Sequence, residues 1–205
     1  MNTLLGNASV LITGGAGFFG AIIKQELLEH GASCVSVDLH PDEQRHANLI
    51  SVQGDIRDPE VVTRIFSSHR FDAVVHCAAM LAHDISDRTA LWQSNVEGTR
   101  NIASTAAETG TPKIVFTSSN CLWGRNFNRP VHEEDLPDPV EIYGQSKWEA
   151  EKILQSFSDR LNVIILRCPT IVDSGRLGLL AILFEFIDEG RTIWTVGAGD
   201  NRYQF

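Results

Sequence analysis

Paired cysteines, basic stripes and long apolar runs are all missing from this sequence. The four cysteines, Cys34, Cys77, Cys121 and Cys168, stand far apart and include no CxxC pair, which argues against a zinc site or a disulfide framework and suits a reducing compartment. No metal is expected. A formal net charge of −9 opposes the phosphate attraction behind nucleic-acid binding, and no basic stripe reverses it locally. Nucleic acid is therefore not an expected partner. The apolar runs are too short to span a bilayer, and Met1 to Gly6 lacks the basic segment and apolar core of a secretory signal. A cytoplasmic protein without membrane contact is the expectation. What is present is ordinary for one globular domain with a sizeable core: 205 residues, 43% hydrophobic and 21% charged.

Short β-branched runs alternate with longer segments of helical period, the pattern of a doubly wound α/β fold with helices on both faces of a parallel sheet. The spacing predicts strands near 8–13, 33–38, 49–53, 72–77, 113–117, 161–167 and 193–196. Helices are predicted near 18–30, 58–69, 86–109, 141–159 and 177–189. Gly31 closes the first helix, and Asp58-Pro59 opens the second as N-cap and first helical residue. The long loop from 120 to 140, rich in Asn, Pro and acids, is a candidate functional segment.

The first strand runs directly into Gly14-Gly15-Ala16-Gly17-Phe18-Phe19-Gly20 and then a helix, which is the context a dinucleotide fingerprint needs. Gly14 permits the tight turn, Gly17 lets the backbone approach a pyrophosphate, and Gly20 allows close helix–strand packing. Helix amides then face the anion. Asp38 ends the second strand at the distance expected for an acid that bonds the adenine ribose hydroxyls, and a carboxylate there repels a 2′-phosphate, favouring NAD over NADP. Its other reading is a surface turn acid before Pro41. Asp55, in Gly54-Asp55-Ile56, suits either a bond to the adenine amino group or a cap for the helix entered at Pro59.

Tyr143-Gly144-Gln145-Ser146-Lys147 sets a phenol and an ammonium four residues apart, on one helix face. A phenol ionises near pH ~10 and serves as a base at neutral pH only where positive charge favours the phenolate; Lys147 and an oxidised nicotinamide are the expected sources. The strand Lys113 to Thr117 delivers Ser118-Ser119 to its carboxyl end, where α/β proteins hold ligands. His76 ends a predicted buried strand and suits packing better than metal ligation with His83, and Cys121 has no histidine partner placed beside it. Trp123, Trp148 and Trp194 are expected as core or interface aromatics.

With these motifs in this order, the chain resembles the extended short-chain dehydrogenase/reductases, the NAD-dependent epimerase/dehydratase group. The resemblance is carried by the glycine turn, Gly54-Asp55-Ile56, His76-Cys77-Ala78-Ala79, Asn95-Val96-Glu97-Gly98-Thr99, Thr117-Ser118-Ser119, Tyr143 to Lys147, Leu166-Arg167-Cys168-Pro169 and Asn201 to Phe205. It implies Ser119, Tyr143 and Lys147 as catalytic. It implies Gly14, Gly17, Phe18, Phe19, Gly20, Asp38, Asp55, Ile56, Ala78, Ala79 and Asn95 around NAD, together with Tyr143 and Lys147. Asn95 is also readable as an ordinary helix polar residue. Asn120-Cys121 replaces the Asp-Glu pair of the sugar dehydratases, which disfavours dehydration, while Met80-Leu81 and Val172-Asp173-Ser174 replace segments typical of hexose 4-epimerases. The expected activity is oxidation and reduction of a secondary alcohol of a nucleotide sugar. The alternatives are a net dehydrogenase on a hydroxysteroid-like small alcohol and a catalytically silent NAD-binding module. A homodimer through the helices near 86–109 and 141–159 is implied. Residues 1–167 read as the NAD-binding domain and 168–205 as the start of a substrate-binding portion, so that the chain is expected to be a fragment that binds NAD but turns over substrate poorly.

Overall fold

The computed structural model describes residues 5–81, 87–124, 127, 129–173 and 179–194. Met1–Arg167 and Cys168–Phe205 form two compact units. The first unit is built on β1 (Ser9–Thr13), β2 (Ser33–Asp38), β3 (Leu49–Gln53), β4 (Ala73–His76), β5 (Lys113–Ser119) and β6 (Asn162–Cys168). They form one sheet in the order β3-β2-β1-β4-β5-β6. The registered pairs β1/β2, β1/β4, β2/β3 and β4/β5 are all parallel. The chain order reverses between β1 and β4, and a crevice at the carboxyl ends of strands on either side of such a switch is where open α/β sheets hold ligands.

Period-two alternation assigns the two faces. Leu11 belongs to a core with Val35, Val37, Val74, Ile114 and Phe116, covered by residues of α2 (Pro59–Ser68), α4 (Gly98–Thr109) and α5 (Ile142–Gln155). Val10 and Ile12 point the other way, into a smaller cluster with Leu28, Ala32 and Cys34 that involves α1 (Phe18–Glu29). Helix ends follow local chemistry: the Asp58 side chain accepts from Glu60 N at 2.9 Å to cap α2, and Gly110, at φ 75°, terminates α4 in the left-handed region.

The helix expected over 86–109 is broken into α3 (Arg88–Trp92), a π turn (Gln93–Glu97) and α4; residue 86 lies outside the described residues. The helix expected to reach 159 stops at Gln155, because Phe157 N bonds Leu154 O and Leu161 N bonds Phe157 O in a tight turn leading into β6. In the second unit α6 (Leu179–Asp188) is helical as expected, while its predicted start at 177 and 178 lies outside the described residues. Ile193 and Trp194 carry no strand, and residues 195 and 196 fall outside the description. Trp194 is exposed rather than core. Among the described residues no helix is long and apolar enough to cross a membrane.

Candidate cofactor and active site

β1 ends at Thr13 and the chain turns at Gly14, whose φ of 71° and contact with the next loop exclude a side chain: a Cβ there would lie 2.7 Å from Ala78 N. A Cβ on Gly20 would collide with Gly14 O, so α1 seats directly on the turn. Gly17 is the N-cap of α1 and no side chain caps it, which leaves a glycine cradle at a helix N-terminus of the kind that receives a pyrophosphate. The cradle suits a dinucleotide because the helix N-terminus carries no side-chain cap and the glycines let the turn and α1 pack without side chains between them. Asp38 stands beside it, its carboxylate accepting from Ala16 N and from His40 N, each at 3.0 Å. Asp38 thus closes its own turn, as the turn-acid reading expects, and also holds the glycine turn.

Asp55 follows β3 and accepts from Arg57 N at 2.9 Å and Arg57 Nε at 2.8 Å. The Arg57 guanidinium holds its carboxyl below the usual carboxylate range, with burial working the other way and the Arg57 amide adding to the guanidinium's effect. The cap reading of Asp55 is overturned, since Asp58 caps α2. The Ile56 side chain is buried in the core, close enough to Gly98 that a Cβ there would lie 2.8 Å from it.

The segment after β4 is held by two side chains. Ala78 N donates to Thr13 Oγ1 at 3.2 Å, and Asn95 brackets Met80, accepting from its N–H at 2.8 Å and donating to its carbonyl at 3.0 Å. Asn95 also donates to Ser146 Oγ at 3.0 Å, and that hydroxyl donates to Tyr143 O at 2.7 Å. The bland reading of Asn95 fails on this geometry. It is buried within the π turn, a local unwinding frequent at functional sites, and it ties the Ala78–Met80 segment to the first turn of α5.

Between those two holders stands His76. Thr99 Oγ1 donates to Asn95 O at 2.7 Å, so it accepts from His76 Nε2–H at 2.9 Å. His76 Nδ1 is then bare and accepts a hydrogen bond from the Thr13 hydroxyl at 2.6 Å, leaving the Thr13 oxygen to accept from Ala78 N. This closed inventory assigns the neutral Nε2–H tautomer. Burial pushes the imidazole pKa down to about 3, with the Lys147 charge acting in the same direction. The sequence reading of His76 as packing is therefore incomplete: it is a polar link from β1 to α4. His83 lies outside the described residues.

Ser119 ends β5, and its hydroxyl accepts from Cys121 N at 3.2 Å to open a 3-10 turn (Asn120–Leu122). Gly144 lets α5 approach that turn, since a Cβ there would sit 2.5 Å from Cys121 O. Glu141 caps α5 by accepting from Tyr143 N at 2.7 Å and Gly144 N at 2.5 Å, which fixes the backbone under the phenol. One turn on, buried Lys147 donates to Thr117 O at 2.9 Å and stands 5.8 Å from the Tyr143 ring centroid. One turn further, Glu151 accepts from Ser118 Oγ at 2.5 Å and pairs with Arg167 at 2.8 Å. Arg167 also donates to Glu133 O and lies over Trp123, fastening the 120–140 loop to α5 and β6.

The structure thus brings Tyr143 and Lys147 together, joins Asn95 to their helix, and sets Asp38 and Ala78 against the glycine turn. Asp55 is occupied by Arg57. Sequence reasoning missed the braces: Thr13, Thr99, Glu141, Ser146, Glu151 and Arg167. Glu141 carried a signal, an acid just before a helical period; the others depend on partners from 16 to 65 positions away along the chain, apart from the local Thr99 and Ser146 bonds.

Residues 10–205 match the family model described as the NAD dependent epimerase/dehydratase family. An Escherichia coli O157:H7 protein, N-acetyl-alpha-D-glucosaminyl-diphospho-ditrans,octacis-undecaprenol 4-epimerase, is 32% identical over 201 residues, covering 95% of this chain and 58% of its own length. A Bordetella bronchiseptica enzyme, WbmH, solved in complex with NAD+, superposes with a TM-score of 0.80 at 28% identity, covering 90% of this chain and 63% of that one. The Thermotoga maritima UDP-glucose 4-epimerase, solved with UDP-glucose, superposes with a TM-score of 0.79 at 29% identity, covering 94% and 67%. The chain spans about half the length of the curated relatives it matches. By the extent of the family match and the structural agreement, the chain belongs to the NAD-dependent epimerase/dehydratase family.

Proposed function

We propose that the protein is an NAD-dependent epimerase acting on a secondary hydroxyl of a nucleotide sugar. The observation that supports this most is the stacked face of α5, where the Lys147 ammonium, anchored on Thr117 O two residues before Ser119, stands one turn from Tyr143. Gly14, Gly17, Phe18, Phe19 and Gly20 would cradle the pyrophosphate of NAD, Asp38 would take the adenine ribose, and Ala78, Ala79 and Lys147 would line the nicotinamide half. Asp55 and Ile56 would serve the adenine end, Ile56 through its backbone because its side chain is buried. Bound NAD supplies a reversible acceptor for the hydrogen on the carbinol carbon. Tyr143 takes the hydroxyl proton as that carbon is oxidised and gives it back on reduction. Ser119 donates to the oxygen as it becomes a carbonyl, and Lys147 places positive charge beside the phenol. Rotation of the ketone before reduction inverts the carbon.

Incubation with UDP-glucose or UDP-N-acetylglucosamine and NAD+, followed by chromatography of the sugars with absorbance at the NADH band, tests the proposal. Exchange of 4-epimers without accumulating NADH is expected, at a slow rate because the chain spans about half the length of its curated relatives. Stoichiometric NADH would replace it with a net dehydrogenase, and NAD binding without either reaction would leave a silent binding module. The same proposal includes a homodimer through the helices α4 and α5, which would be isologous; a strict monomer at micromolar concentration in light scattering would remove that part.

A further inference from the structure

A buried ion pair lies outside the catalytic groups. Lys24, on α1, is 1% exposed, and its ammonium pairs with Asp42, 7% exposed, in the connection between β2 and β3. Ser36 Oγ on β2 donates to the same carboxylate at 3.0 Å, and Gln44 N donates to its other oxygen at 3.1 Å. Removing such a pair from water costs more than most ion pairs return, so burial alone is poor evidence that it stabilises the fold. What distinguishes this one is a further acceptor: Lys24 Nζ donates to Gly15 O at 2.8 Å.

Gly15 O and Ala16 N are the two ends of one peptide unit. Its carbonyl is held by Lys24, and its amide by Asp38 Oδ2 at 3.0 Å. The unit lies inside the glycine turn, where a Cβ on Gly15 would run into Ser36 Oγ. Rotation of this peptide would exchange an amide and a carbonyl within the turn, so its orientation contributes to which backbone groups the turn can present to an anion. Asp38 is also the carboxylate proposed for the ribose hydroxyls, which would share it with Ala16 N. Lys24 holds the carbonyl end from α1.

We infer that Lys24 is a positioning residue for dinucleotide binding: it fixes the Gly15–Ala16 peptide in the orientation that receives the pyrophosphate, and Asp42 serves to compensate its charge. Because Asp42 neutralises the ammonium, Lys24 acts through geometry rather than through attraction of the phosphates. The inference rests on the NAD reading of the glycine turn. It separates two roles that a single substitution would mix. Lys24→Met alone strands the Asp42 carboxylate and lowers stability as well as affinity. Lys24→Met with Asp42→Asn removes both charges and recovers stability but leaves Gly15 O without its donor. Asp42→Asn alone keeps the donor on Gly15 O.

The test measures NAD+ affinity by calorimetry and stability by urea unfolding for the wild type, Asp42→Asn and the double variant. A hydrogen bond from a charged donor is worth roughly tenfold or more in an equilibrium constant. The double variant should bind NAD+ at least about tenfold more weakly than wild type at a stability above that of Asp42→Asn, and Asp42→Asn should bind no more weakly than wild type despite its lower stability. Double-variant affinity within about twofold of wild type would overturn the inference while leaving the NAD reading intact; a wild type that fails to bind NAD+ would overturn both. A measurement on unmodified protein covers the case in which the variants do not fold. The Lys24 ammonium resonance should be protected from solvent exchange and should shift when NAD+ is added, and a Lys24 resonance indifferent to NAD+ would refute the role.

Discussion

His76 ties its protonation to the stability of the fold, and the sign and size of the effect follow from its surroundings. Thr13 of β1 and Thr99 of α4 occupy its two ring nitrogens, the Phe116 ring of β5 packs against it at 5.4 Å, and the Lys147 ammonium of α5 adds like charge. Protonation would put a hydrogen on Nδ1, which already receives one from Thr13, and would strand a cation in the core. The folded pKa of about 3 lies below the ordinary value of 6.5, so in acid the unfolded chain binds a proton that the folded chain refuses. Stability is complete above pH 6.5 and falls with pH toward 3. From pH 6.5 to 5 the loss is about 1.5 units at roughly 1.4 kcal/mol each, or about 2 kcal/mol. Asp42, Asp55 and Asp135, whose carboxyls are held below 3.8, lose their contribution only under more acidic conditions, which keeps the window from pH 7 to 5 dominated by His76 among the shifted groups. Urea unfolding at pH 7, 6 and 5 should show this decline in wild type and a flatter profile in His76→Gln. Parallel profiles, or a His76 ring that protonates near pH 6 in nitrogen-15 spectra, would refute the buried neutral tautomer.

Tyr143→Phe should lower turnover by about 10²- to 10⁴-fold and leave NAD+ affinity near wild type, measured as separate kcat and Kd values, because it deletes a proton-transfer group alone. Asp38→Ala should narrow the preference for NAD+ over NADP+, read by calorimetry with both cofactors; an unchanged ratio would remove Asp38 from the ribose site. Glu151→Ala strands Arg167 and Ser118 and should cost about 3–5 kcal/mol in urea unfolding, since the carboxylate is fully buried and its partner largely so. Asn95→Ala leaves both polar groups of Met80 without their partner and should cost about 1–3 kcal/mol, with a loss of NAD+ affinity that distinguishes a loop-positioning role from a merely structural one.

Local chemistry in the sequence determined the elements and much of the site. Alternation along Ser9–Thr13 places Leu11 on one face and Val10 and Ile12 on the other whatever the partners are; Asp58-Pro59 starts α2 unaided; four-residue spacing alone puts Tyr143, Lys147 and Glu151 on one face of α5. A tight turn between strand and helix made Gly14 legible, because glycine enters the left-handed region most readily and no side chain fits against Ala78 there. Tertiary structure decided what these groups meet. The π turn arises where Asn95 bonds a loop 15 positions earlier and Thr99 takes the Asn95 carbonyl. The tautomer of His76 follows from hydroxyls 63 and 23 positions away. Nothing in the local sequence marks Lys24; it is buried because folding brings Asp42 and Gly15 O to its ammonium, and an ammonium leaves water only where acceptors replace it.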